Sequence, residues 1–96
     1  MMKVIVLMLI SLSLSAQDIK EMVKNVKVDI QYSKKYSYYI VSPFANTNQE
    51  DCIILESNLD SSFQRIKDGI WLSKNYTVQR CSSQLGNYYL FIKKEN

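Results

Sequence analysis

The spacing of apolar and polar positions changes several times along the chain, and each change predicts a new element of secondary structure. Between Ile19 and Val26 the apolar residues recur every three or four positions, as on one face of a helix. From Val26 to Tyr32 they occur at every second position, as on a half-buried strand. We therefore predict a short helix over Gln17–Val26 that leads into a strand. One longer strand without a helix is the alternative interpretation.

The next segment is rich in aromatic and β-branched residues. Tyr36–Ser42 has the composition of a strand, and the short polar link Ser33–Lys35 favours a hairpin with the strand before it. Pro43 ends this second strand, and the polar segment Ala45–Asp51 predicts a loop. The apolar run Cys52–Leu55 predicts a short buried strand, although its length also fits a helical turn.

The strongest helical pattern follows, and it predicts one main helix over residues 57–68. Ser57 with Asp60 resembles a capping box at its start, and Gly69 supplies the stop. The apolar face of this helix consists of Leu59, Phe63 and Ile66.

Three further strands are predicted in the C-terminal part: Ile70–Leu72, Tyr76–Cys81 and Tyr88–Lys93. The connections between them are short, which favours antiparallel neighbours. The fold class predicted for the whole chain is α+β: a mostly antiparallel sheet with one main helix (57–68) on one face and a short N-terminal helix.

The first sixteen residues have the order of a secretory signal peptide. A positive start at Lys3 is followed by the apolar run Val4–Ile10, and Ser11–Ala16 ends on a small residue. The run is shorter than the about 20 apolar residues that a membrane span needs. We therefore expect residues 1–16 to be removed and residues 17–96 to form a single small domain, exported to the periplasm or the extracellular space. In the alternative the segment is kept, and it is then the protein's only contact with a membrane.

The cysteine count suggests a disulfide. Removal of 16 of the 96 residues leaves 80, and small exported domains often depend on disulfides. Cys52 and Cys81 allow one intramolecular pairing, which would tie two halves of the sheet together. Two buried free thiols are the alternative. The chain has no histidine and no Cys-x-x-Cys motif, so we expect no metal site.

Little in the sequence indicates catalysis. The absence of histidine removes the commonest general base and the usual activator of a serine or cysteine nucleophile. Glu56 and Asp60 stand at the predicted start of the main helix, where carboxylates ordinarily cap and offset the helix dipole. We expect no catalytic residues, no enzyme activity and no cofactor. The net charge of +3, which becomes +2 without Lys3, is too small and too scattered to indicate nucleic acid.

The tyrosines are the best candidates for a binding surface, because tyrosine combines a rigid apolar ring with a polar tip. Two adjacent pairs lie in predicted strands, where each pair places one ring on each face of the sheet. A single helix covers only one face, so the outer rings would be exposed. In the alternative the rings fill a thin core. The candidate binding residues are Tyr36, Tyr38, Tyr39, Tyr88 and Tyr89.

One segment is similar to a known family. Tyr38–Asn46 (Tyr-Tyr-Ile-Val-Ser-Pro-Phe-Ala-Asn) resembles the first strand and loop of SPOR domains, which bind the glycan strands of peptidoglycan. The resemblance covers nine of the 96 residues. It implies a helix directly after the loop and a second helix further along the chain.

These observations lead to three functional hypotheses. The first is a small exported, non-enzymatic binding module that contacts an unknown protein or a cell-wall glycan, with inhibitors and immunity-type proteins included in this class. The second is a SPOR-like peptidoglycan-binding domain. The third is a small structural subunit of an envelope or virion assembly that keeps its N-terminal segment.

Overall fold

The computed structural model describes residues 15–44 and 49–94. The predicted signal peptide therefore lies outside the described residues, apart from Ser15 and Ala16. The elements in chain order are α1 (Ala16–Met22), β1 (Val28–Ser33), β2 (Tyr38–Pro43), α2 (Gln49–Ser62), β3 (Gln64–Lys67), β4 (Ile70–Leu72), β5 (Tyr76–Ser83) and β6 (Gly86–Lys93).

The strands form one six-stranded sheet in the order β1-β2-β6-β5-β4-β3. Every neighbouring pair is antiparallel. The last four strands form a meander that begins at one edge of the sheet, and its final strand, β6, pairs with β2 near the other edge. Helix α2 connects β2 to β3, so it crosses from one side of the sheet to the other. The predicted α+β class with a mostly antiparallel sheet is confirmed.

Both described helices pack against the same face of the sheet, which we call the covered face. From α2, Leu55 and Leu59 are fully buried, and α1 adds Ile19 and Val23. The strands contribute buried residues at alternate positions, as the pleat of a sheet requires. These are Val28, Val41, Trp71, Val78, Tyr89 and Phe91.

The main helix lies earlier in the chain than predicted. It spans Gln49–Ser62 and not residues 57–68, and the predicted strand Cys52–Leu55 lies inside it. Cys52, Leu55 and Leu59 are its buried residues, at positions i, i+3 and i+7. Phe63 is buried just after the helix ends, so it extended the apparent helical pattern without being part of the helix.

Gly69 is not the end of the main helix. It lies in the tight turn between β3 and β4, with a φ of +85°. This left-handed conformation is open to glycine and strained for residues with a Cβ atom. Ile66, predicted on the helix, lies in strand β3 and is 51% exposed.

The short N-terminal helix is present, and it has a capped N-terminus. Ser15 is the N-cap: its Oγ accepts from the Asp18 backbone N–H at 3.2 Å, and Asp18 Oδ2 accepts from the Ser15 N–H at 3.0 Å. This reciprocal pair is a capping box. Cleavage after Ala16 would remove Ser15 and with it the cap.

Candidate interaction surface

The register of the strands divides their side chains between two faces. Residues directly opposite one another in an antiparallel pair point to the same face, and neighbours along a strand alternate. The face opposite the helices, which we call the open face, carries in its centre Tyr38, Ile40, Ser42, Ile70, Leu72, Thr77, Gln79, Cys81, Tyr88, Leu90 and Ile92.

The centre of the open face is uncharged and largely apolar, with Ser42, Thr77 and Gln79 as polar exceptions. No lysine, arginine, aspartate or glutamate of β2, β4, β5 or β6 points to this face. Its tyrosine, leucine and isoleucine side chains are partly exposed, and the described helices leave them uncovered. Charges appear only at the two edge strands, where Asp29 lies on β1 and Lys67 on β3. An uncovered apolar area with a charged border is typical of a protein contact surface.

In each of the two adjacent tyrosine pairs, one ring lies on each face of the sheet, as predicted. Tyr38 and Tyr88 point to the open face, whereas Tyr39 and Tyr89 point to the covered face. Tyr36, in the β1–β2 turn, is 58% exposed. Its ring stacks on that of Tyr38 with 5.6 Å between centroids and 19° between planes. Three of the five candidate tyrosines therefore lie at the surface.

The other two candidate tyrosines belong to the core. Tyr89 is fully buried, and its O–H donates to Glu56 Oε2 at 2.7 Å. Burial, followed by the neighbouring Glu56 carboxylate, raises the pKa of Tyr89 well above its usual value. Tyr39 packs against the core, and its ring lies 4.8 Å from that of Tyr32. For these two rings the core-filling alternative holds.

The candidate tyrosines make up only part of the open face. The binding residues predicted from the sequence do not include the aliphatic residues beside the tyrosines, which are Ile40, Ile70, Leu72, Leu90 and Ile92. The signal was present in β6, where apolar residues occupy both sets of alternate positions from Tyr88 to Ile92. Such a strand has an apolar side chain on each face, and only one of those faces meets the helices.

A cluster of charges on the covered face ties α2 to the sheet. Arg80 of β5 donates from Nε and Nη2 to the two carboxylate oxygens of Glu56 at 2.7 and 2.8 Å. Arg80 also donates to Asp68 in the β3–β4 turn at 2.9 and 3.1 Å. Burial would raise the pKa of Glu56, but hydrogen bonds from Arg80 and Tyr89 and the charges of Arg80 and Arg65 outweigh it. The pKa of Glu56 is therefore lowered.

The second arginine of the chain joins the same cluster. Arg65 donates to both oxygens of Asp60 at 3.0 and 3.2 Å, and its guanidinium lies 4.9 Å from the centre of the Trp71 ring. The Trp71 indole N–H donates to Asp60 Oδ1 at 2.8 Å. These hydrogen bonds, Arg65 first, lower the pKa of Asp60. Because each charge is paired within the cluster, we assign Glu56 and Asp60 a structural role.

The structure does not contain the predicted disulfide. Cys52 and Cys81 are both free thiols. Cys52 lies on α2, 4.0 Å from the side-chain nitrogen of Asn87 on the covered face. Cys81 is paired with Tyr88 on the open face. The sheet separates the two sulfurs, and the spacing of the cysteines in the sequence does not show this, since it depends on which face each side chain takes.

Other kinds of site have little support in the part of the chain that is described. Two shallow cavities of about 260 and 280 Å³ open beside α2 and α1, below the about 300–1,000 Å³ that is usual for small-molecule sites. Across residues 15–44 and 49–94, no group of three or more histidine, cysteine or acidic residues could hold a metal ion. Over those residues no helix has the length and apolar character needed to cross a membrane.

Comparison of the chain with known protein families, with curated proteins and with solved structures finds no match. The fold has one of the two features that the SPOR resemblance implies. A helix does follow β2, as the resemblance implies, although Ala45–Asn46 lie outside the described residues. From Phe63 to Lys94 the chain forms four strands and no second helix. The matched segment lies in β2, the second strand along the chain, whereas the resemblance implies the first strand.

Proposed function

We propose that this protein is a small exported binding module that contacts a protein partner through the open face of its sheet. The observation that carries the proposal is the uncharged, largely apolar centre of that face, which the described helices leave uncovered. Export is supported by the order of residues 1–16, with a positive start, an apolar run and a small residue at the end.

The chemistry of the open face favours a protein partner. Aliphatic side chains at its centre, such as Ile40, Leu90 and Ile92, gain from the removal of water by another apolar surface. Tyr38 and Tyr88 add rings whose hydroxyls can still find a polar partner at the contact. The inhibitors and immunity-type proteins of the first hypothesis act through contacts of this kind.

The test compares variants on the two exposed surfaces. The wild-type chain is immobilised and exposed to the envelope fraction of its source, and the bound proteins are quantified. Leu90→Lys places a charge in the centre of the open face, and we expect it to abolish capture. Ile53→Lys is the matched control, because Ile53 lies on α2 and is 66% exposed. Equal capture by wild type and Leu90→Lys would rule out the open face as the contact.

A cell-wall glycan is the second candidate partner. It is favoured by the stacked rings of Tyr36 and Tyr38, on which a sugar could pack, and by the helix that follows β2. Cosedimentation with purified peptidoglycan tests it. We would expect the wild-type chain to pellet and Tyr36→Ala to remain in solution. If the wild-type chain does not pellet at low salt, the glycan is excluded as a partner.

A further inference from the structure

We propose that the partner of the open face is a second copy of this chain, so that two sheets pack face to face in a two-fold symmetric dimer. This inference rests on the proposed function, because it assumes that the open face is the contact surface. Three properties of that face support it: its charge pattern, its uncharged centre and its size.

The charges at the two edges of the open face are complementary. Asp29 lies on β1 at one edge and Lys67 on β3 at the other. A two-fold axis between the sheets and parallel to the strands places the β1 edge of each copy over the β3 edge of the other. Asp29 of one copy then faces the edge that carries Lys67 of the second copy. Because the axis relates the two copies, the same contact occurs at both edges of the interface.

Within residues 15–44 and 49–94, neither Asp29 nor Lys67 has an ion-pair partner in its own chain. Asp29 accepts a hydrogen bond from the Gln31 amide at 3.1 Å, and no lysine or arginine in these ranges lies within ion-pair distance of it. A second copy would supply the opposite charge for each.

The centre of the face suits contact with itself. The chain has a net positive charge with or without residues 1–16, so a self-contact surface must avoid placing like charges opposite one another. The central strands β2, β6, β5 and β4 present no charged side chain there. Ile40 and Leu90 lie opposite each other near the middle, in a row of open-face residues that runs from Gln31 on the β1 edge to Lys67 on the β3 edge.

The size of the face is enough for a modest dimer. Six strands about 4.8 Å apart, with mostly two or three outward side chains each, give a footprint of about 500 Å² on each copy. A face-to-face pair would therefore bury about 1,000 Å² in total, which is the lower end of specific protein interfaces. We expect a dimer that dissociates on dilution.

Sedimentation equilibrium of the purified full chain over a range of concentrations tests the inference. The wild-type protein should approach twice the mass of one chain. Leu90→Lys should weaken association by at least about a hundredfold, because it places two like charges at the centre of the interface. Ile53→Lys, on the outer surface of α2, should behave as wild type.

A charge swap at the edges tests the arrangement with variants that leave the centre untouched. Asp29→Lys should weaken the dimer by about tenfold, since it replaces two attractions with two repulsions. Adding Lys67→Asp to the same chain should restore association. Failure of the second substitution to restore it would overturn the proposed orientation.

The remaining outcomes overturn the dimer in distinguishable ways. A wild-type chain that stays monomeric at every concentration would show that the partner is not a second copy. If its open face still captures another protein in the assay above, the proposed function stands without the dimer. A dimer that Leu90→Lys leaves intact would place the self-contact elsewhere on the molecule.

Discussion

The two faces of the sheet differ in how far their side chains are buried and in how their polar groups are paired. On the covered face the side chains are buried, and the described polar groups among them are matched: Glu56, Arg80 and the Tyr89 hydroxyl satisfy one another. On the open face the central side chains are mostly apolar and at least partly exposed, and the two edge charges lack an ion-pair partner in the described ranges. The difference suggests that the covered face maintains the fold and the open face is available for contact.

The largest effect should appear when neighbouring residues of β6 are truncated. Phe91 is 1% exposed on the covered face, and Phe91→Ala should lower the free energy of unfolding by about 3–5 kcal/mol. Leu90 points the other way and is partly exposed, so Leu90→Ala should cost about 1 kcal/mol or less. Urea unfolding at concentrations low enough to keep the chain monomeric measures both. Equal losses would mean that the two faces are equally buried within a single chain.

A smaller effect is expected in the charge cluster of the covered face. Glu56→Gln keeps the size of the side chain but removes the charge that pairs with Arg80, and we expect a loss of about 1.5–3 kcal/mol. Glu21→Gln, on the exposed surface of α1, is the control and should stay within about 0.5 kcal/mol of wild type. If both variants unfold like wild type, the cluster does not stabilise the fold.

The same cluster predicts a loss of stability in acid. The native pKa of Glu56 lies below its ordinary 4.5, and those of Asp60 and Asp68 lie below 3.8. The unfolded chain therefore binds protons before the folded one does. The stabilisation is complete above the ordinary values and is lost as the pH falls through them to the lowered native values. Urea midpoints at pH 7 and pH 3 measure this loss.

The Glu56→Gln variant also serves as a control for the acid effect. Because it lacks one of the three shifted carboxyls, it should lose less stability than wild type between pH 7 and pH 3. An identical loss in both proteins would assign the acid sensitivity to other groups.

The sequence predicted the strands better than the helices, for a physical reason. Strand β4 lies where it was predicted, and β1, β2, β5 and β6 shift by no more than about two residues, within the uncertainty of element ends. Alternation of apolar and polar residues in these strands reflects real burial. Strand β3 was missed because all four of its residues are exposed, so it carries no alternating pattern.

The main helix was predicted too far along the chain, because its apolar residues do not all face the core. Cys52–Leu55 reads as a buried strand, yet Ile53 and Ile54 point outward from α2, 66% and 38% exposed. Phe63 lies just beyond the end of α2, yet it continues the apolar spacing of a helix along the sequence. Local pattern does not reveal which apolar residues the sheet will cover, since that depends on long-range packing.

The candidate site was predicted in part. Adjacent tyrosines indicated correctly that each pair would divide between the two faces, as Tyr38 and Tyr39 do. Which member faces the helices follows from the register of β2 with β6, and the sequence does not contain that information locally. The disulfide prediction failed for the same reason, because Cys52 and Cys81 lie on opposite sides of the sheet.

The smallest effect concerns these two thiols and distinguishes the two faces by how accessible each thiol is. Unreduced, denatured protein should yield two reactive thiols per chain. In the native protein Cys81 is partly exposed and should react about tenfold faster than buried Cys52, whose labelling requires local opening. Cys52→Ser and Cys81→Ser isolate each rate. Thiols that appear only after reduction would instead support the disulfide.

The central claim is that the open face, and not the helical surface, is where this protein meets its partner. The most direct measurement is photo-crosslinking in the intact source cells, with a benzophenone amino acid placed either at Leu90 on the open face or at Ile53 on α2. We expect a discrete covalent adduct from Leu90 and none from Ile53. Adducts from Ile53 with none from Leu90 would contradict the account.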